Sequence, residues 1–455
     1  MEWSKARILT PRGWGLAGAG LFCVLLAQIM GRKDLLVLGL FLLLLPVLAA
    51  IGVRLLAPDF TVYREFTPAV VEAESSTTVD LAVGGPLRTA GRVRMSETLP
   101  PRFGRSPEFF YPGKVQNDGK AGLRSSRYQY HLRSASRGQF PIGPVNAELS
   151  DAFGLSTHQR SLPGSDLLTV TPRALELPVT TVSGARSSDG VIATGQRANP
   201  SDDDVMTREY RHGDPMRRVH WPATARQGQL MVRQEESVTT PEATLLLDLR
   251  AGAFADGGSP ARNPGGEHPE LRSSAAFEWS VVAAMSISAH LVERGFELRL
   301  LDVFGKPGLA SSRSAPEAMT EEYAGAAGLH SIAESLAAIE LQEDQNGTAF
   351  NDDLLERLSS GRQRGPVIAI LGQLSTAEAR ALAVAAQGSP AACAIVSSHH
   401  PEQAAQTLEL LRQGGWRAIA ANEGTSLRSV WSYFDAGPLE TAPAEQQPSG
   451  SGVPR

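Results

Sequence analysis

Cysteine is nearly missing from this chain of 455 residues: Cys23 and Cys393 stand alone, far apart in sequence and in environment. That excludes a disulfide framework and any cysteine-based metal centre. It fits a reducing compartment without requiring one. A strong charge imbalance is missing too. A net charge of −5 over this length gives no reason to expect the basic face that nucleic acid attracts, so nucleic acid is not an expected partner. No Gly-x-Gly-x-x-Gly fingerprint follows a candidate strand, which argues against a dinucleotide. No partnered nucleophile, phosphate-cradling loop or metal-ligand spacing is found, so the sequence supports neither an enzyme nor a cofactor.

Long apolar runs are confined to the beginning. Gly13 to Met30 and Leu35 to Val53 are two runs of about 18 residues, the length a helix needs to cross the hydrocarbon core. Between them lies only GRKD, which can turn a helical hairpin but cannot form a domain. A cleavable signal peptide would need a small-residue cleavage site before the second run, and none is present. Lys5, Arg7 and Arg12 precede the first run and Arg54 follows the second, against Arg32 and Lys33 in the turn. The positive-inside bias therefore leans towards both ends cytoplasmic, at the plasma membrane. Pro46 in the second run is tolerable where a neighbouring helix packs against it.

From Asp59 to about Thr171 the pattern becomes short alternating stretches such as DFTVYREF, TTVDLAV, YQYHLR and DLLTVTP, separated by Gly, Pro and Ser. Period-two alternation with frequent turn signals predicts strands in a small sandwich. SRGQFPIGPV and SDAFGLS stand out, and their glycines and prolines read as turn chemistry between strands. From about Pro178 to Asp204 the chain is rich in Ser, Gly, Thr and Asp, an exposed connector.

The most informative segment runs from Arg208 to Glu236. It combines Arg208, Arg211, Arg217, Arg218, Arg226 and Arg233 with Glu209, Asp214, Glu235 and Glu236, and threads Tyr210, Gly213, His220 and Trp221 among them. Asp214 before Pro215 predicts a helix start, running to about Trp221. Pro222 then predicts a break, with a turn over 223–228 and a strand QLMVRQEE. Three readings compete for this motif. The charges pair to pin the segment onto the following domain; or they form a docking face, since Arg, Tyr and Trp dominate interface hot spots; or His220 acts as general base beside Asp214 or Glu209.

REYRHGDPMRRVHWPATARQGQLMVRQ resembles the signature of the bacterial domain-of-unknown-function 58 family: Arg-Glu-Tyr, Gly-Asp, Arg-x-x-His-Trp, then Ala-Arg followed by a small residue and Leu. RGQFPIGP and DAFGL are similar to that family's strand-turn landmarks. Pro222 stands where the family often has a charged residue. The resemblance covers most of residues 1–310. It implies a membrane protein with a von Willebrand factor A-like domain, and a MoxR-type AAA+ ATPase and a transglutaminase-like membrane protein as partners in complex maturation.

After the motif, the apolar run ATLLLDL opens an alternation of strands (FELRLLDV, PVIAIL, AACAIV, WRAIAA) with helical stretches around 273–293, 330–341, 376–386 and 402–413. That predicts a doubly wound parallel sheet. The family resemblance implies an Asp-x-Ser-x-Ser metal loop after the first strand. Here it reads DLRAG: Asp248 is kept, but Arg250 and Gly252 replace the serines, so no metal is expected and Asp248 should pair with Arg250 or a motif arginine. Loops over 252–270 and 305–320 read as mobile.

The expected organisation is a transmembrane hairpin over 1–56, a β-rich sandwich-like module over 57–176, a linker over 177–207, the charged motif over 208–236, the α/β domain over 237–435 and a disordered tail over 436–455. The expected function is that of a membrane-anchored, non-enzymatic scaffold docking an AAA+ ATPase. The rival is an envelope-associated hydrolase using His220 with Asp214 or Glu209.

Overall fold

The computed structural model describes residues 8–86, 91–117, 124–180, 182, 207–210, 216, 219–233, 240–255, 271–343, 348–359 and 365–436. Most of the 177–207 linker, the 256–270 loop, Gly213, Asp214, Arg217, Arg218 and almost all of the tail lie outside the described residues. The described chain forms two compact units. The first holds residues 1–173 with stretches 312–316 and 333–339, and the second holds the rest.

The first unit begins with α1 (Pro11–Met30) and α2 (Lys33–Leu55), both long and apolar enough to cross a membrane. Thr10 caps α1, its hydroxyl accepting from the Gly13 amide, and Pro11 occupies the first turn. The two helices meet at Gly20 and Gly39. A Cβ on Gly39 would stand 2.9 Å from the Gly20 carbonyl oxygen, so only glycine permits this approach. Pro46 is buried, as packing against a neighbour requires.

Strands follow: β1 (Thr61–Thr67), β2 (Val70–Glu72), β3 (Ser76–Gly84), β4 (Val93–Glu97), β5 (Glu108–Tyr111), β6 (Lys114–Asn117), β7 (Arg124–Arg133), β8 (Gly138–Ile142), β9 (Val145–Ser150), β10 (Thr157–Leu162) and β11 (Asp166–Thr171). They form three sheets, ordered β1-β3-β7-β6, β10-β9-β4-β5 and β2-β11-β8. Alternation in β3 buries Val79, Leu81 and Val83 and leaves Thr78, Asp80 and Ala82 partly exposed. Leu81 and Val83 pack with Val93 and Met95 of β4 and Val145, Ala147 and Leu149 of β9, so the first two sheets share a core. A second cluster joins Val79 and Leu132 to Phe140, Ile142, Leu168 and Val170.

SRGQFPIGPV does more than turn the chain. Beside its Gly143, the buried Arg64 guanidinium pairs with fully buried Glu97, and reaches Asp166 at 2.9 Å. The Tyr130 hydroxyl also donates to Glu97, and burial beside that carboxylate pushes the phenol well up from its ordinary range. Arg137 is buried as well, and donates to the carbonyl oxygens of Leu336 and Ile339 at 2.7 Å each, within this unit.

The second unit carries β12 (Thr207–Glu209), α3 (Trp221–Gln227) and β13 (Met231–Arg233), then β14 (Glu242–Leu247), α4 (Ala275–Glu293), β15 (Glu297–Asp302), β16 (Glu322–Tyr323), the start of α5 (Gly325–Ala337, whose residues from 333 belong to the first unit), α6 (Asp352–Ser359), β17 (Val367–Leu371), α7 (Thr376–Ala383), β18 (Ala392–Ser397), α8 (Ala405–Gln413), β19 (Arg417–Ala421) and α9 (Leu427–Ala436). Its main sheet is ordered β16-β15-β14-β17-β18-β19, parallel except for the edge strand β16. Counted along the chain this is 3-2-1-4-5-6, a doubly wound order whose direction reverses between β14 and β17. The central strands are apolar on both faces, as parallel strands covered by helices must be: β17 and β18 are buried at every position. Leu246, Leu301, Ala369 and Leu371 pack in one cluster with Leu382 of α7 and Leu408 and Leu411 of α8. Long apolar α4 is a core helix here, with Phe277, Val281, Ala284, Ile287 and Leu291 fully buried.

Three expectations need correction. The linker's first residues are anchored, because Trp431 donates from Nε1 to the Pro178 carbonyl at 3.0 Å and Thr180 and Val182 are buried. The 305–320 loop is packed: Leu309 is fully buried and the Gly308 amide donates to Leu300. The described start of the 252–270 loop is a short 3-10 turn over Gly252–Phe254 with Phe254 buried.

Candidate functional site

The charged motif builds a small unit of its own. β12 and β13 pair antiparallel, Thr207 with Arg233, Arg208 with Val232 and Glu209 with Met231. Of the helix expected over 214–221, residues 214, 215, 217 and 218 lie outside the described residues; Met216 is in a 3-10 turn, Val219 bridges to Val232, and α3 begins at Trp221. Pro222 sits in its first turn, where a proline's missing amide costs nothing and its fixed φ is already helical. His220 is the N-cap: its Nδ1 accepts from the Ala223 amide at 3.2 Å, and its carbonyl accepts from the Thr224 amide and hydroxyl. Gly228 closes the helix in the left-handed conformation. The Thr224 hydroxyl accepts from the Met231 amide, and His220 and Tyr210 donate their amides to Met231 and Leu230, which lock helix and ribbon together.

Val219, Met231 and Val232 form the buried side of this unit. Trp221 is 61% exposed, and Met216 and Leu230 are exposed with it. Arg226 and Glu209 are exposed as well, while Tyr210 and His220 are half-buried. The strands fix the backbones of Arg208 and Arg233. Seven of the residues named in the motif, Arg211, Gly213, Asp214, Arg217, Arg218, Glu235 and Glu236, lie outside the described residues.

The second candidate lies where the sheet order reverses, at the carboxyl ends of β14 and β17, the place where open α/β sheets take ligands. Asp248, fully buried, follows β14. Arg250 turns back onto it: Oδ1 accepts from Nε at 2.9 Å and Oδ2 from Nη2 at 2.8 Å. Oδ1 also accepts from the Arg250 amide, and Oδ2 from the Gly372 amide at 3.4 Å. The other side of the guanidinium pairs with Glu378. Glu378 and Ser375 form a reciprocal capping box at the start of α7.

The charges reinforce one another. Burial alone would lower the Arg250 guanidinium, but hydrogen bonds and attraction from Asp248 and Glu378 carry it above its ordinary range. Burial alone would raise the Glu378 carboxyl, but Ser375 and Arg250 hold it below the ordinary value of 4.5. Asp302, at the end of β15, goes the other way: burial raises it although the Lys306 and Phe304 amides donate to it.

A hard cation needs free oxygen ligands, whereas a bidentate guanidinium already engages both oxygens of Asp248. Arg250 thus stands as a fixed internal cation at this end of the sheet. Among the described residues, no three His, Cys, Asp or Glu side chains gather to hold a metal ion. The buried Cys393 thiol, pushed up to about 12 by desolvation, is a packing residue rather than a nucleophile.

The same sheet edge carries polar groups that sequence reasoning passed over. Gln373, after β17, donates to the Ser398 hydroxyl at 2.9 Å; His399 and His400 follow β18, with His399 Nδ1 2.8 Å from Glu423. The signal was the HH pair after AACAIVSS, but the meeting of His399 with Glu423 depends on the β18–β19 pairing.

Residues 206–259 match the family model described as protein of unknown function DUF58. The match spans the motif unit and reaches through β14 to Asp248 and Arg250. No curated protein matches the chain. Similar solved structures include the CARDB domain of a Pyrococcus furiosus protein (11% identity, 26% of this chain and 96% of that one, TM-score 0.18). They also include an alkylpurine DNA glycosylase of Pseudomonas fluorescens (14%, 35% and 45%, TM-score 0.16). A third is Cwp6 from Clostridium difficile (8%, 83% and 55%, TM-score 0.15). At these TM-scores none of them defines a shared fold.

Proposed function

We infer, from a DUF58 match on a chain with two apolar N-terminal helices, that this protein is a membrane-anchored, non-enzymatic docking factor whose partner is a MoxR-type AAA+ ATPase. A transglutaminase-like membrane protein is the second proposed component, and the soluble units face the cytosol. The observation that carries this reading is the outward presentation of the motif. Its unit buries Val219, Met231 and Val232, and turns Trp221, Met216, Leu230 and Arg226 to solvent. Trp and Arg are the side chains that most often anchor a protein interface.

The strand order and an aspartate closing the first strand support reading the α/β unit as von Willebrand factor A-like. Arg250 then stands where such a domain would hold a cation. Packing of β3 against β4 and β9 supports a sandwich-like reading of the β-rich unit.

The test is to purify the tagged full chain from its own membranes in mild detergent with ATP, and to identify co-purifying proteins by mass spectrometry. An AAA+ ATPase is expected, lost in Trp221→Ala/Arg226→Ala and in Arg217→Ala/Arg218→Ala. Intact wild-type protein that brings no ATPase overturns the reading. His220→Asn separates the rival hydrolase: asparagine keeps the helix cap but cannot serve as general base. Hydrolase activity in the purified protein, lost in that variant, would establish the rival.

A further inference from the structure

The first unit contains an apolar cavity of about 380 Å³ where α2 ends against the second sheet. Its walls are Leu48, Gly52 and Val53 on α2, and Val93, Leu149 and Phe153 on β4, β9 and the following loop. The volume falls within the roughly 300–1,000 Å³ of small-molecule sites. We propose that this crevice holds an acyl chain of one anionic phospholipid drawn from the surrounding leaflet.

The occupant follows from what the crevice adjoins. Leu44, Leu48, Ile51, Leu55 and Leu56 are all exposed on the same end of α2. In a bilayer that flank is bathed in acyl chains, so the crevice is an inlet of the lipid phase and a chain enters without crossing water. Phe153 at the rim is 72% exposed, an aromatic ring at the depth where a membrane helix ends.

The SDAFGLS loop makes this wall rigid. Asp151 accepts from the amides of Phe153, Leu155 and Ser156 at 2.9, 2.7 and 2.6 Å. Asp151 belongs to the crevice wall, and its charge there is met by these backbone donors. The loop is also tied to the start of α1: the Thr10 amide and hydroxyl both donate to Leu155, the Thr10 hydroxyl reaches the Gly154 carbonyl at 2.7 Å, and the Ser156 hydroxyl donates to the Ile8 carbonyl. Gly13 lies so close that a Cβ there would stand 2.2 Å from the Leu155 carbonyl oxygen.

Charge selects the headgroup. Exposed Arg54 and Arg92 adjoin the lining residues Val53, Gly91 and Val93, and the Arg12 guanidinium lies beside Gly154. Asp59, the nearby exposed carboxylate, is paired with Arg160 at 3.0 Å. A phosphodiester without a compensating ammonium suits such a rim better than a zwitterion, because each basic side chain near a membrane surface attracts net negative charge.

Gly52 provides the test, since a Cβ added there meets nothing within 4 Å and its side chain would extend into open space. Gly52→Trp should fill the crevice while improving the helix. The full chain would be placed in phosphatidylethanolamine vesicles with a minor share of phosphatidylglycerol carrying a photoreactive acyl chain. Crosslinked peptides are expected from both 45–58 and 149–153, and the 149–153 crosslink should fall roughly tenfold in Gly52→Trp. Arg54→Gln/Arg92→Gln should remove the advantage of phosphatidylglycerol over a photoreactive phosphatidylethanolamine. Crosslinks confined to α2, or a 149–153 crosslink unchanged by Gly52→Trp in a normally folded protein, overturn the proposal. If Gly52→Trp fails to fold, Gly52→Leu serves the same comparison.

Discussion

Arg250 concentrates the electrostatics of the sheet edge in one side chain. Asp248 is fully buried and both of its oxygens face the guanidinium, so removing Arg250 leaves a charge stranded in the interior, whereas removing Asp248 leaves Arg250 paired with Glu378. Arg250→Met should destabilise the protein by about 3–5 kcal/mol, seen as a fall in the thermal midpoint of the detergent-solubilised chain. Asp248→Leu combined with Arg250→Met, which strands neither, should recover much of that loss. Glu378 supplies a pH signature. Its carboxyl is held below 4.5 in the folded chain, so it binds its proton less readily folded than unfolded. Its contribution is therefore complete above that value and fades as pH falls through it. Asp302, raised by burial, titrates with the opposite sign and is common to both proteins compared. The stability gap between wild type and Glu378→Gln should accordingly hold from neutrality down to about 4.5 and narrow as pH falls below it; a constant gap there would contradict the assigned pairing.

At the scale of elements, the membrane hairpin rests on the closeness of Gly20 and Gly39. Leucine at 39 must push against the Gly20 carbonyl and Val24, so Gly39→Leu should cost about 1–3 kcal/mol of overpacking, measured by thermal unfolding in detergent. The hairpin was legible in advance because two uncharged runs of membrane length leave little else to do. The central strands were legible for a related reason: ATLLLDL, PVIAIL and AACAIV are apolar at consecutive positions, which a parallel strand covered on both faces demands. What escaped was decided by local geometry or by distant partners. Pro222 reads as a helix breaker until His220 is seen as the cap, after which it is a first-turn proline. The place of α9 is set by Trp431, buried against Pro178 and His290. SDAFGLS reads as a turn between strands, and nothing in it announces that Thr10 is its partner. At the candidate site, the pairing of Asp248 with Arg250 could be expected from DLRAG, whereas Glu378 could not, because it stands 128 residues away in sequence.

For the molecule as a whole, two spans put both ends of the hairpin on one side, and placing that side in the cytosol, as proposed, makes a prediction about topology. A fluorescent-protein fusion after Arg455 should fluoresce and an alkaline phosphatase fusion should stay silent; the reverse would exclude direct contact with a cytosolic ATPase. The bond between Thr10 and Gly154 joins residues 144 apart, one from the threshold of the first membrane helix and one from the far end of the β-rich unit. During synthesis the helix is made first, and the loop that must grip it emerges only after nine strands, β1 to β9, have been made. The bilayer thereby becomes a station in the folding pathway: until α1 has been inserted and its first turn set, the last hairpin has no fixed post to close upon, and completion of the soluble unit reports that the anchor is already in place.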